Sequence, residues 1–564
     1  MTADYRTQAL EDPTAVIQQL YRAHASSSNL PRLVADHFSK LFESQNAFLK
    51  IPPLNVQRPP ESYRDRTLVR FRAMVQDTSI STEMYLSKHN DGSCGGWGIY
   101  ESDHPSSSGA SDVDYTNLQE CNVLWATTVP AESGWCRDEL DGERHSAVQS
   151  PSLIPTASPR AHKYPHPDRE HFGVQVKIYE RENVESYKAS DVVTFVGILS
   201  SEPCNLDQTR EDAADAPTLH VLFTKPHAPN VLPRPFPRAV RRGQNGIVTT
   251  VSSEHPPRLV EDTSQIREEL IDWIADEALG GDRQVAEWVL LSCISRVQAR
   301  TPPLLPLPLV ISRFPPPSPV PSTSASATML LPTLSAVLDL LFPLSHSLSL
   351  SLDSLNKSSF TPESKDEDLH AGVLQLPQGT VLLVSEGGVR EGQLLERGVM
   401  NVHALQEVMD TQTLAYVFPF SQFSFPTDIS CIVLAEGRKS AFFRTELNIP
   451  LRAAARADPA AVAALYKPAD QVRMPPREKL NAFRDLVVGA RCGKVIVPEE
   501  TSEHIQAQFV SARQGDRSVT ADDLIRWMAV SKLYALSLHE PSLSVEIWQR
   551  AKAFDDQRRA LVTA

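Results

Sequence analysis

The five residues Thr380 to Val384, TVLLV, constrain this chain more than any other stretch. A turn signal, Pro377-Gln378-Gly379, launches them, and Ser385, Glu386 and a pair of glycines end them. β-Branched residues and leucines without polar alternation read as a strand buried on both faces, as in a parallel sheet covered by helices. Sheets of that kind carry their chemistry where the strands end, at the carboxyl edge. Ser385 and Glu386 stand at that edge.

The flanking sequence supplies the helices and partner strands such a sheet needs. Ser264 to Ala278 is amphipathic, and Asp282 precedes a strongly apolar helix, Val285 to Val297. LPLPLVISRF (305–314) reads as a buried strand, followed after a loop by a helix over Thr333–Leu341. Beyond the central strand come a helix at Asn401–Asp410, a hairpin (414–418 and 422–425) and a buried strand SCIVLA (430–435) ending in Glu436-Gly437. Leu447–Leu451 is the last strand expected. Four helices close the chain, over 477–490, 501–512, 520–537 and 544–558, with Thr520 and Asp523 spaced for a capping box.

A nucleotide-hydrolysing sheet would place a glycine-rich loop and a lysine after the 305–314 strand, so that backbone N–H groups close around phosphates. This chain has PPPSPVPSTSASATM there. No glycine occurs from Asp282 to His370, and no lysine in that interval before Lys357. Proline has no N–H to donate. The position of a metal-holding aspartate is Ser385, followed by Glu386.

The first half has another period. Thr14–Ala25 and Pro31–Phe48 read as two helices, and from Leu68 the run LVRFRAMVQD alternates as a half-buried strand, with Arg70, Arg72 and Gln76 on its polar face. Further strands at 83–86, 122–129, 174–179, 191–199 and 219–224 suggest a small antiparallel, OB-like barrel. Residues 101–119 and 137–171, rich in Ser, Asp, His and Pro, read as disordered insertions. Arg70 and Arg72 could line a single-strand groove, but no aromatic series accompanies them. His145, His162, His166 and His171 lack metal-ligand spacing. The basic run at 225–242, including Arg234, Arg238, Arg241 and Arg242, reads as a solvated linker or a nuclear-import patch.

Composition narrows the class. With 55 basic against 69 acidic residues and a net charge of −14, the chain gains little from phosphate contacts. The seven cysteines form no CxxC pair, which fits a reducing compartment rather than a disulfide framework or zinc site. No signal peptide or membrane span is read, and a soluble intracellular protein is expected.

The motifs RFRAMVQD (70–77), SDVVTFVGILSSEP (190–203), AGVLQLPQGTVLLVSEG (371–387), LAEGRKS (434–440) and SVTADDL (518–524) resemble the MCM-binding protein family, relatives of the MCM replicative helicases. The resemblance implies an α+β and α/β multidomain chain. Its parts would be an N-terminal helical segment (1–52), an interrupted OB-like barrel (61–225), a linker (226–259), a degenerate AAA+-like domain (260–454) and a helical lid (475–564). It implies MCM helicase subunits as protein partners and a nuclear role in DNA replication and sister chromatid cohesion, with no enzyme activity, cofactor, metal, membrane or direct nucleic-acid binding. The degenerate ATPase positions are then Ser385, Glu386, Glu436 at the sensor position and Asp522 where the helicases carry a lid arginine. Arg444 could align with their arginine finger, although an isolated arginine beginning a strand reads more readily as an ordinary surface charge. An active P-loop-type ATPase and a single-strand binder are the alternatives.

Overall fold

The computed structural model describes residues 2–24, 29–89, 92–99, 115–142, 160–180, 187–203, 215–226, 232, 234–236, 263–301, 303–317, 330–389 and 391–563. Helices Thr2–Glu11, Pro13–Ala23 and Leu30–Leu41 lead the chain, the latter two capped by Asp12 and Asn29. The helix expected to run to Phe48 stops at Leu41, because Ser44 caps a separate short turn, Gln45–Phe48. Val34, Phe38 and Phe42 are buried with Trp97, Val196 and Phe223 against the strands that follow.

Those strands are β1 (Leu68–Asp77), β2 (Leu118–Thr128), β3 (Gly173–Ile178), β4 (Val192–Pro203) and β5 (Asp215–Pro226). Strand β1 pairs antiparallel with both β2 and β4; β2 continues to β3, β3 runs parallel to β5, and β5 returns antiparallel to β4. The pairings close a ring of five strands, which leaves these strands no free edge. Inside lie Phe71, Val75, Leu124, Val176, Phe195 and Leu219.

Two expectations for this half need correction. The polar face of β1 is not in water. Arg70 pairs with Asp141 at 3.0 Å and Arg72 with Glu132, while Gln76 donates to the Leu369 carbonyl at 3.2 Å. Alternation marks which face is polar, and another element can still cover it. The stretch 137–171 is ordered at both ends. Helix Gly134–Asp141 presses on β1, and residues 160–171 form a packed segment in which Lys163 is fully buried. Residues 115–119, assigned to the first insertion, form a helical turn and the start of β2. Residues 143–159 and 101–114 lie outside the described residues, as do Arg238, Arg241 and Arg242 of the linker. Arg234 of that linker is docked, 2.5 Å from Glu139 and 3.0 Å from Asp485.

The second half contributes β6 (Leu309–Ser312), β7 (Ser345–Ser349), β8 (Glu363–Lys365), β9 (Asp368–His370), β10 (Thr380–Ser385), β11 (Thr413–Phe418), β12 (Ser421–Pro426), β13 (Ile429–Leu434) and β14 (Leu447–Pro450). Five of them form a parallel sheet in the order β7-β10-β13-β6-β14. The central position of β10 explains its sequence. Val381 and Leu383 enter one core with helices Thr263–Ala278, Arg283–Ile294 and Thr333–Leu341, while Leu382 and Val384 enter a second with helix Glu396–Thr411. A smaller sheet runs β9-β8-β11-β12. Helices Arg477–Cys492, Glu499–Gly515, Ala521–Ser537 and Val545–Thr563 follow, with the Thr520/Asp523 capping box in place.

The halves meet along a continuous seam. Ser133 N–H donates to the Pro343 carbonyl at 2.9 Å, and Ser345 N–H to the Ala131 carbonyl at 2.8 Å.

Candidate functional site

Strands β6, β10 and β13 are neighbours in the parallel sheet, so their carboxyl ends form one edge. The backbone there is already bonded. Arg313 N–H donates to Gly437 O at 2.8 Å, Phe314 N–H to Ala435 O at 2.9 Å, and Glu386 N–H to Leu434 O at 3.0 Å. Pro315, Pro316 and Pro317 come next and have no N–H. The Tyr466 hydroxyl ties this turn down by donating to the Pro315 carbonyl at 2.7 Å. From β6 to Pro317, then, every backbone donor that could face a phosphate is absent or engaged by protein.

Three of the four residues singled out in the sequence gather here. A Cβ on Gly387 would lie 3.7 Å from both Glu436 Oε1 and Ser385 Oγ, and 3.8 Å from Pro316 Cα. Glu386 is buried and turned inward. Ser440 Oγ donates to one of its oxygens and Ala441 N–H to the other at 3.1 Å, so the carboxylate organises the loop after β13. Burial pushes the Glu386 carboxyl above its ordinary range, against these hydrogen bonds; burial also raises Glu436. Two carboxyl groups thus stand at an edge where a phosphate-binding loop would bring a lysine. Asp522 is exposed in the first turn of helix Ala521–Ser537, apart from the groups around Gly387. Arg444 is exposed on the loop after β13. Arg526, one turn beyond Asp522, is buried between Asp523 (2.5 Å) and Asp555 (3.1 Å).

A second charge cluster lies elsewhere, in the seam. Lys163 Nζ sits 2.7 Å from Asp77 of β1 and also contacts Asp368 of β9. Arg160 and His162 reach the other Asp368 oxygen at 3.2 and 2.8 Å. Burial raises the Asp368 carboxyl, but the His162 hydrogen bond and the Lys163 charge outweigh it and hold the group below the usual carboxylate range. His162, Asp368 and His370 bring ligand-type atoms within 4.8 Å of one another. A divalent cation does not suit them, since the Lys163 ammonium and Arg160 guanidinium already occupy the cationic places around Asp368. The other described histidines of the segment act as ring partners: His166 stacks on His346 (centroids 3.7 Å apart) and His171 on Tyr164 (4.2 Å). Sequence reasoning missed Lys163 and Asp368, because nothing local distinguishes either from a surface charge.

Three cations of the barrel are likewise engaged. Arg70 and Arg72 face partly buried carboxylates, and Lys177 lies 2.6 Å from both Glu83 and Glu202. These arginines offer no phosphate-binding groove.

Comparison with known proteins places this chain in a family. The sequence profile of a family described as mini-chromosome maintenance replisome factor matches residues 38–163 and 142–562. The chain belongs to that family. It is similar to the mini-chromosome maintenance complex-binding proteins of Gallus gallus, 24% identical over 98% of this chain and 97% of the relative, and of Drosophila melanogaster, 27% identical over 92% and 93%. The Arabidopsis thaliana protein of the same name is 24% identical over 93% of each chain. The likeness therefore spans both halves, including the seam and the proline-bearing edge.

Proposed function

We propose that this chain is a non-enzymatic binder of MCM helicase subunits, acting in the nucleus on their assembly, supply or release from chromatin during replication, with a consequence for sister chromatid cohesion. The observation that carries the partner is the name of its relatives, complex-binding proteins matched over more than nine-tenths of their length in birds, flies and plants. The closed ring, with β3 and β5 parallel, supports reading the first half as an OB-type barrel. The parallel sheet, with the ends of β6, β10 and β13 on one edge, supports reading the second as an AAA+-like unit. Pro315–Pro317 and the inward-turned Glu386 support the loss of its nucleotide chemistry.

Such a unit resembles a helicase subunit in shape and makes its contacts without a nucleotide of its own. The test is binding of the purified full-length chain to purified MCM subunits, singly and assembled, with and without ATP. Binding that is independent of ATP on this chain, with no ATP-dependent rise in its own melting temperature, is expected, because a ligand of the folded state must stabilise it. ATP hydrolysis by the chain that disappears in Glu386→Gln would overturn the reading.

A further inference from the structure

The smaller sheet, β9-β8-β11-β12, has two edges treated differently. At β9 the edge is covered: Ala371 N–H donates to the His162 carbonyl at 2.9 Å, and Asp368 is held by Arg160, His162 and Lys163. At β12, among the described residues, only β11 is paired. Sheet edges are ordinarily guarded by charged residues, proline, bulges or a covering element. Strand β12, SQFSFP, has no charge, no bulge in its register with β11, and its proline only at the last position. The whole hairpin Thr413–Pro426 contains no charged residue.

Its exposure is unusual too. Phe420 at the tip is fully exposed and Phe423 is 54% exposed. The two-residue turn Pro419-Phe420 closes on the pair Phe418–Ser421. Hydrogen-bonded pairs to β11 therefore fall at Ser421, Phe423 and Phe425, and the backbone groups of Gln422 and Ser424 point outward.

We propose that the outer edge of β12 is a docking strand that receives an extended, uncharged segment of the MCM partner as an added β-strand. This rests on the function proposed above and names the surface for it. A row of outward N–H and C=O groups is matched by another strand, and Phe420 and Phe423 supply the apolar contact that fixes its position. A second copy of this chain is the weaker occupant. Two six-residue edges bury far less than the roughly 1,000 Å² a stable interface needs, whereas an MCM subunit adds this strand to a larger contact.

The test compares full-length wild-type chain with Ser424→Pro, Ser424→Thr and Phe423→Lys for binding to purified MCM subunits, with melting temperature and circular dichroism read in parallel. Ser424→Pro removes an outward N–H while leaving the β11 ladder intact, as an edge strand tolerates. Its affinity should fall about tenfold or more, Phe423→Lys should do the same, and Ser424→Thr should bind as wild type. Should Ser424→Pro fail to fold, Phe423→Lys decides alone. A folded Ser424→Pro or Phe423→Lys variant that binds with unchanged affinity overturns the proposal. So does a wild-type chain that is dimeric by light scattering and becomes monomeric in Phe423→Lys. If the wild type binds no MCM subunit at all, the proposed function itself has failed and the edge proposal falls with it.

Discussion

The carboxyl edge of the parallel sheet and the seam between the halves make an instructive pair. The edge has residue types in an order that signals catalysis: a small polar residue, a glutamate, two glycines and a second glutamate one strand over. The seam has a lysine in a histidine- and proline-rich stretch and an aspartate on a three-residue strand. Yet Glu386 is occupied in holding Ser440 and Ala441, while Lys163 joins β1 to β9 across the two halves. A reactive residue type becomes a structural one once its hydrogen bonds are taken by its own chain. A surface residue type becomes the main polar contact once another element covers it.

The comparison breaks most easily at Lys163. Lys163→Met leaves the buried Asp77 and the partly buried Asp368 without their shared cation. Losing one partner of a buried pair typically costs about 3–5 kcal/mol; Arg160 and His162 stay on Asp368, which favours the lower end. Urea unfolding of the full chain measures it. A loss under about 1 kcal/mol, the range of exposed pairs, would mean that the seam is held by apolar contacts and backbone pairing instead.

A second test uses pH. Burial lowers His166 to about 3 and His346 well below its ordinary value, with Arg169 adding to both and His166 adding to His346. Their buried ring atoms His166 Nε2 and His346 Nδ1 have no hydrogen-bond partner. The folded state binds these protons less readily than the unfolded state, so the pair's stability contribution is fully present above pH ~6.5 and is lost as pH falls toward the folded values. Each histidine can contribute up to ~1.4 kcal/mol per pH unit in that window. His346→Phe keeps a ring against His166 and removes one titrating group. It should flatten the stability–pH curve between about pH 4 and 6.5, and an unchanged slope would show that the acid sensitivity lies elsewhere.

These tests also mark how much was legible. The core of β10 was plain, because a central parallel strand must be apolar on both faces and TVLLV is. Helix Thr333–Leu341 and the Thr520 cap were equally plain, since both rest on local spacing. Strand β7, SHSLS, was not read, because its serines and histidine hide a strand whose backbone is paired by the seam and by one neighbouring strand. Arg70 and Arg72 looked like a solvated face for the same reason: what covers them, helix Gly134–Asp141 and Glu132, lies far along the sequence, 71 residues on in the case of Arg70 and Asp141. At the edge, the shortage of backbone N–H donors was legible in the prolines alone, but the inward turn of Glu386 depends on a loop after β13 that no local pattern announces.

Glu386→Gln sharpens the edge side of the comparison. The amide keeps one acceptor oxygen and loses the other, so either Ser440 or Ala441 is left without its bond. A loss of about 1 kcal/mol is expected, moderated because burial already disfavours the charged carboxylate. Hydrogen exchange at Ala441 and Phe443 should quicken as the loop loosens. Unchanged exchange would return Glu386 to the list of groups free to act on a ligand.

The smallest effect belongs to Ser385→Asp, and it is the most diagnostic for the edge. The substitution restores the residue type a metal-dependent nucleotide site would need there. If the missing aspartate were all that separates this edge from a working site, the variant would gain a nucleotide-dependent rise in melting temperature in the presence of magnesium. It should gain none. Arg313 and Phe314 still donate to Gly437 and Ala435, and Pro315–Pro317 still have no N–H to offer. Glu436, whose Oε1 lies 3.7 Å from where a Cβ on Gly387 would stand, would then face a new negative charge rather than a lysine. Ser385 is only partly buried, so stability should change by about 1 kcal/mol or less. A clear nucleotide response in Ser385→Asp would show that the backbone at this edge can rearrange to hold phosphate, and that one residue, rather than the whole loop, stands between this sheet and nucleotide binding.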